Sequence, residues 1–310
     1  MPFNLNAASL RRVVNRALPA AFLATSVVAP PLLAQQTRIA FVVRPDSTGT
    51  LANVAATPLT RSDTSDLVLL FGWRDAAIAA GFGVATIALF QVDRHVAEQS
   101  QDEVTQANRF LRNVTKPSEA LAWPGSLLIE GGLYALGKLS HHPRTAEVGW
   151  HGAEAIIVAT AATNVLKKLV GRARPYVSGN PHDFKFGGGF QAGHDRSSFP
   201  SGHTTTAFAF ASAVASESRQ KWPKEWWSAW LIPVGVYSGA TVVGISRLYH
   251  NAHWASDVAL GAAIGTFSGI KVIQYTHRHP NNVVDRIMLG TSVLPNGRGG
   301  MMVMWNNPTR

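Results

Sequence analysis

Three polar stretches, KKLVGRARP at 167–175, PSGH at 200–203 and SRLYHNAHWASD at 246–257, stand between long apolar runs. Lys167, Arg174 and Arg247 supply three cations with no adjacent carboxylate. A phosphate dianion leaving water needs that compensation, and an arginine fork matches two of its oxygens. Ser201 and Gly202 open an apolar run, so a hydroxyl and a free amide at a helix N-terminus can hold a further oxygen.

His253 and Asp257 are four residues apart, which on a helix puts them on one face. A carboxylate that accepts from one imidazole nitrogen fixes the tautomer and leaves the other nitrogen able to attack phosphorus. His253 is therefore the candidate nucleophile, Asp257 its orienting partner, and His203 the candidate acid for the leaving oxygen. The cations take the part a divalent metal would play, and the spacing misses the HExxH zinc pattern, so neither metal nor cofactor is expected. Each fragment alone has a plainer reading: an N-cap at Ser201, helix-terminal charges at Lys167 and Arg174, an interfacial anchor at Arg247, a structural helix pair at His253 and Asp257. Those readings do not explain all three together.

What positions them is helix order. Apolar segments near 76–92, 120–137, 149–166, 199–216, 226–246 and 253–273 read as six core helices. KKLVGRARP closes the third, with Pro175 as its stop; PSGH opens the fourth; SRLYHNAHWASD joins the fifth and sixth. In an up-and-down bundle the ends of odd helices and the starts of even ones share a face, so all three clusters meet. The polar run QDEVTQANRFLRNV at 101–114 reads as one amphipathic surface helix.

Of 310 residues, 46% are hydrophobic and 15% charged, with 28 Lys and Arg against 18 Asp and Glu. That balance leans away from an ordinary soluble enzyme and toward an anionic partner such as phosphate or a lipid surface. The absence of Cys excludes disulfides, thiolate metal sites and Cys nucleophiles. WWSAWLIPVGVYSGATVVGIS at 226–246 is long and clean enough to cross a bilayer, and Trp226, Trp227 and Trp230 resemble an interfacial belt. The run at 76–92 is borderline, while 120–137 (Pro124, Glu130) and 149–166 (Glu154) also fit buried core helices. The expected class is all-α: a multi-pass helical bundle over 70–275. Arg11, Arg12 and Arg16 before ALPAAFLATSVVAPPLLA mark 1–35 as a signal peptide or signal anchor, and 36–69 reads as a flexible arm. RIMLGTSVL and GGMMVMW around PNGR predict a small β-hairpin at 286–305, inside a tail at 276–310.

The three stretches resemble the tripartite signature of the type-2 phosphatidic acid phosphatase and vanadium haloperoxidase superfamily: Lys, six residues, Arg-Pro; Pro-Ser-Gly-His; Ser-Arg, five residues, His, three residues, Asp. Every position is met here. The resemblance covers about residues 70–275 and implies a helical bundle with a phosphate pocket of Lys167, Arg174, Ser201, Gly202 and Arg247. It implies His253 as a nucleophile forming a phosphohistidine, His203 as general acid and Asp257 orienting His253. The expected activity is metal-independent hydrolysis of a lipid phosphate or pyrophosphate. The expected partners are that substrate and a membrane, not nucleic acid. Alternatives are a soluble exported acid phosphatase of broad specificity, a vanadate-dependent haloperoxidase, and a non-catalytic anion- or lipid-binding membrane protein. The resemblance places bacterial members in the inner membrane with the pocket facing the periplasm. If all six apolar segments spanned behind a cleaved signal, the pocket would face inward. The parity is restored if 120–137 does not cross, or if residues 1–35 stay inside.

Overall fold

Helix ends in this chain are fixed by local chemistry, and they decide where the polar stretches fall. The structure, a computed structural model, describes residues 71–191, 193–295 and 301–305. The expected signal segment and arm lie outside the described residues. The helices are α1 (Trp73–Phe90), α2 (Asp93–Ser100), α3 (Glu103–Ala107), α4 (Arg109–Ala120), α5 (Ser126–Leu139), α6 (Pro143–Val170), α7 (Gly202–Lys221), α8 (Ile232–Tyr249), α9 (Ala255–Arg278) and α10 (Val283–Gly290). Strands β1 (Thr291–Pro295) and β2 (Met301–Trp305) pair antiparallel, with Val293 opposite Val303. The fold is helical, and α1 with α5 to α9 are the six apolar segments.

Three boundaries differ from the sequence reading. The surface helix over 101–114 divides into α3 and α4, because Asn108 accepts from the Leu111 amide (3.2 Å) and caps a new helix. The third core helix ends at Val170, not at Pro175: Gly171 is left-handed (φ 60°) and its amide bonds Lys167 O. A side chain there would meet Lys185 O at 2.0 Å, so the stop requires glycine. Arg174 is thus off the helix, in a segment that Arg172 ties to Phe184 by an isolated bridge. Last, 286–290 belong to α10, where Asn282 accepts from the Asp285 amide (2.9 Å), so the hairpin starts at Thr291.

The core is built of small residues. Ala207, Ala211, Ala240 and Ala262 are buried with Phe208 and Val243, and Ala209 packs with Ile156 and Ala159. Gly261, Gly265 and Gly269 line the face of α9 that meets α7. A Cβ at Gly265 would lie 2.3 Å from Thr205 O, and one at Gly261 2.6 Å from Ser201 O. Only hydrogen in those places lets the two backbones approach so closely. Among the described residues, Trp73–Phe90, Trp227–Tyr249 and Ala255–Arg278 are long and apolar enough to cross a membrane. The stretch 120–137 does not form one such helix: a π-type turn at Leu121–Gly125, containing Pro124, precedes α5. At about 1.5 Å per residue α5 is roughly 21 Å long, short of a bilayer core of ~30 Å.

Candidate active site

Four helix ends meet at one end of the bundle, and hydrogen bonds join the three polar stretches there. The Ser201 amide donates to Asp257 O (3.0 Å), across the α7–α9 contact that the glycines create. Lys167, on the last turn of α6, donates from Nζ to Ser197 O (2.7 Å). Arg174 donates from Nε to His194 O (2.9 Å) and reaches Ala252 O (3.4 Å) and Ser197 Oγ (3.4 Å). The Trp254 indole donates to Ala173 O (3.0 Å). Ser201 is the N-cap of α7, fully buried, with its Oγ accepting from the Thr204 amide and hydroxyl. Beside it, the open side of Gly202 faces Lys167, whose Cε lies 3.4 Å from where a Cβ would stand.

Sequence reasoning missed the residue at the centre of these contacts. Arg172 is fully buried and donates from Nη1 to Asp257 Oδ1 (2.6 Å) and Ser256 Oγ (2.7 Å). Its Nη2 donates to Asp93 Oδ2 (2.6 Å) and, with Nε, to Pro181 O. The rings of Phe90, Phe184, Phe199 and Trp254 surround the guanidinium, with centroids from 4.8 to 5.9 Å away. Asp93, also missed, accepts from the Ser256 amide (2.8 Å) and so holds the first turn of α9. Only the second arginine in GRARP was a visible signal. A lone Asp at 93 carries none.

His253 is not on a helix with Asp257. It precedes α9, whose N-cap is Trp254, and Asp257 folds back to accept from the Trp254 amide (2.9 Å). Asp257 Oδ2 also accepts from Ser198 Oγ, so its carboxylate is fixed before it meets His253. The closest approach, to His253 Nδ1, is 3.6 Å, beyond hydrogen-bond length, and Nδ1 has no other partner. The imidazole still presents Nδ1 to the carboxylate, a gap of the size that tightens when ligand binds. Burial first, and then the charges of Lys167 and Arg174, lower the His253 pKa to about 3 despite Asp257. Burial and Arg247 lower His203 to about 4, and burial and Arg174 lower Lys167 to about 7. Both imidazoles are therefore neutral at neutral pH in the ligand-free protein.

Arg247 is 7% exposed, and its Nε and Nη1 are buried without a hydrogen-bond partner. Its Nη2 pairs with Glu119 Oε1 (2.9 Å), a residue at the end of α4 that also stands 3.7 Å from His250. No pattern along the chain points to Glu119 here, because α4 is remote from the three stretches. Buried donors without acceptors are costly, and an anion satisfies them. All eight expected residues lie at this end of the bundle.

Residues 149–280 match the family model of the PAP2 superfamily. The lipid A 1-phosphatase of Porphyromonas gingivalis is 42% identical over 90 residues, covering 29% of this chain and 19% of that protein. Those of Rhizobium johnstonii and Rhizobium etli are each 34% identical, covering 39% and 41% of this chain and 46% and 52% of their own lengths. The chain thus spans about half or less of these relatives. A crystal structure of a transmembrane PAP2 type phosphatidylglycerolphosphate phosphatase from Bacillus subtilis is 20% identical, covering 62% of this chain and 96% of its own. Its TM-score is 0.30, too low to superpose the two backbones.

Arg172→Leu leaves Asp93 and Asp257 buried without their shared cation, a loss of about 3–5 kcal/mol. Arg172→Lys keeps the charge but cannot span both carboxylates, and falls between. Thermal unfolding in detergent checks the order wild type, Lys, Leu; equal melting of wild type and Leu would show that the bridge carries no stability.

Proposed function

We propose that this chain, whose residues 149–280 match the PAP2 superfamily model, is a membrane phosphatase that removes phosphate from a lipid anchor with no metal at its phosphate pocket. The observation that carries the reading is the pair of buried, unpartnered Arg247 donors beside a neutral, buried His253. Binding a dianion satisfies the first, and a neutral imidazole is what attack on phosphorus requires. Lys167, Arg174 and Arg247 hold the phosphoryl oxygens, with the Gly202 amide and the Ser201 hydroxyl at the start of α7. His253 Nε2 attacks phosphorus, a P–N bond forms, and the P–O bond to the lipid breaks. His203, neutral before substrate enters, takes a proton from solvent as the phosphate dianion binds beside it, and gives that proton to the departing oxygen. It then takes one from the water that attacks the phosphohistidine, releasing phosphate and restoring His253. Asp257, held by Arg172, Ser198 and the Trp254 amide, stabilises the imidazolium that forms.

A lipid substrate is supported by the three helices able to cross a membrane and by relatives that are lipid A 1-phosphatases. The loop before α7 offers Phe186 (84% exposed) and Phe190 (65% exposed) to an acyl chain. Phe184 in the same loop is 42% exposed and packs edge-on to Phe90 and Phe199 around Arg172. The spanning helices disfavour the soluble acid phosphatase. We place the pocket on the periplasmic face of a bacterial inner membrane. As α9 starts at the pocket and runs away from it, residues beyond Arg278 should then be cytoplasmic. A reporter fused at the C-terminus and active only outside the membrane would reverse that orientation.

His253→Ala should lower phosphate release from lipid A micelles by at least ~10²–10⁴-fold with the melting curve retained. Wild-type activity should persist in excess chelator, be blocked by vanadate, and exceed activity on p-nitrophenyl phosphate in kcat/KM, since remote chain binding is spent on the transition state. Near-wild-type turnover by the variant would remove His253 from the mechanism; a preference for the soluble ester would overturn the lipid reading.

The pH dependence follows from the ionisations. Lys167 must be protonated to hold phosphate, and its pKa is lowered to about 7, so phosphate affinity, read as competitive inhibition rather than as turnover that also needs a proton on His203, should fall along an alkaline limb at that value. His253 must be neutral, and with a pKa of about 3 it imposes no acid limb until pH is far lower. In Lys167→Arg the alkaline limb should move to higher pH, because guanidinium stays charged. An alkaline limb that stays in place would assign it to another group.

A further inference from the structure

The opposite end of the bundle carries a second buried polar cluster with different chemistry. His151 on α6, Glu217 on α7 and His277 on α9 each point one ligand atom into a space where these atoms lie within 4.8 Å of one another. Glu217 Oε1 is 2.5 Å from His151 Nδ1 and 3.0 Å from His277 Nε2. The two imidazoles stand edge to face, with centroids 5.8 Å apart. Behind His151, Nε2 meets Asp285 Oδ2 at 3.3 Å, and that oxygen is held by Asn282 Nδ2 (2.8 Å). A carboxylate behind an imidazole is the outer-shell arrangement that orients a metal-ligating histidine.

Two further observations point to a missing cation. Glu217, fully buried, keeps Oε2 without a hydrogen-bond partner, and so do Asp285 Oδ1 and Glu154 Oε2. The ammonium of Lys221 stands 3.7 Å from Glu217 Oε2 but is bonded to Glu147. Buried carboxylates in such excess are stable when they coordinate or face a cation.

We propose that His151 Nδ1, Glu217 and His277 Nε2 bind a divalent first-row metal ion, with Asp285 supporting His151. Two imidazole nitrogens and a carboxylate suit Zn²⁺ or its neighbours rather than Mg²⁺ or Ca²⁺, which take oxygen ligands. His277, with its side chain 23% exposed, gives the ion a way in from solvent. Along α6 the cluster lies roughly 24 Å from Lys167, at about 1.5 Å per residue. The ion is therefore structural: it joins α6, α7, α9 and, through Asp285, α10, and takes no part in phosphate chemistry.

The test uses the full chain purified in detergent. Metal analysis should find zinc in the protein, and chelator stripping should lower its melting temperature. Added Zn²⁺ should restore that temperature, and Co²⁺ should give the visible absorption of a low-coordinate site. Phosphate release assayed well below melting should not change on stripping, which separates this ion from the catalytic centre. His151→Ala empties a buried position and risks unfolding the chain, so His277→Gln, at the exposed edge, is the decisive variant. It should fold, retain activity and lose both the zinc and the Zn²⁺-dependent shift. Stripped protein whose melting is indifferent to Zn²⁺, or zinc retained in His277→Gln, would overturn the proposal and leave a hydrogen-bonded His–Glu–His network.

Discussion

One guanidinium decides the shape of the end of the bundle where the three polar stretches meet. Arg172 joins Asp93, 79 residues earlier, to Asp257, 85 residues later, and both carboxylates are fully buried. An ion pair removed from water persists only if every lone pair and proton is used. Here the fork has two carboxylates, a serine hydroxyl and a backbone carbonyl, and four aromatic rings close over it. Asp93 grips Ser256, so the start of α9 cannot shift without breaking the bridge. Asp257, fixed in turn, sets the direction from which His253 is approached.

The same end depends on how closely two helices can lie. Because α9 presents Gly261, Gly265 and Gly269 to α7, the Ser201 amide reaches Asp257 O. The N-cap of α7 and the carboxylate that faces His253 therefore belong to one rigid joint. Methyl groups in place of those hydrogens would separate the helices, and the cap would leave the cations. Packing at the level of single atoms thus positions groups that lie more than fifty residues apart in sequence.

How much of this was legible follows from the range of each interaction. The six apolar segments are local patterns, and their helices appear where the periodicity put them. The convergence of Lys167, Ser201, Arg247 and Asp257 was legible because helix order alone forces it. Arg172 was passed over because it lies next to Arg174 in the same motif, and only burial separates the caged residue from its half-exposed neighbour. Asp93 and Glu119 were illegible: each is an acidic residue on a polar helix outside the three stretches, brought in by tertiary packing. The place of His253 was misread because a spacing of four fits a helix face equally well as a capping turn, and the Trp254 amide selects the turn. Helix ends failed for a related reason. Gly171 looked like one of several glycines until Lys185 O approached it, so Pro175 received the role of stop.

The electrostatics of the pocket explain why a resting site of three cations holds together without its anion. Lys167, Arg174 and Arg247 each disfavour a proton on the imidazoles around them, and both histidines yield theirs. Glu119 takes one nitrogen of Arg247, and carbonyl oxygens take Lys167 and Arg174. What is left unanswered is two donors on Arg247, buried and aimed at no acceptor. A dianion entering there satisfies those donors and reverses the field at His203, whose proton affinity rises just when a proton is needed for the leaving oxygen. In the proposed mechanism the acid is thus armed by its own substrate, while His253, deeper and facing Asp257, is kept neutral by burial until the P–N bond forms.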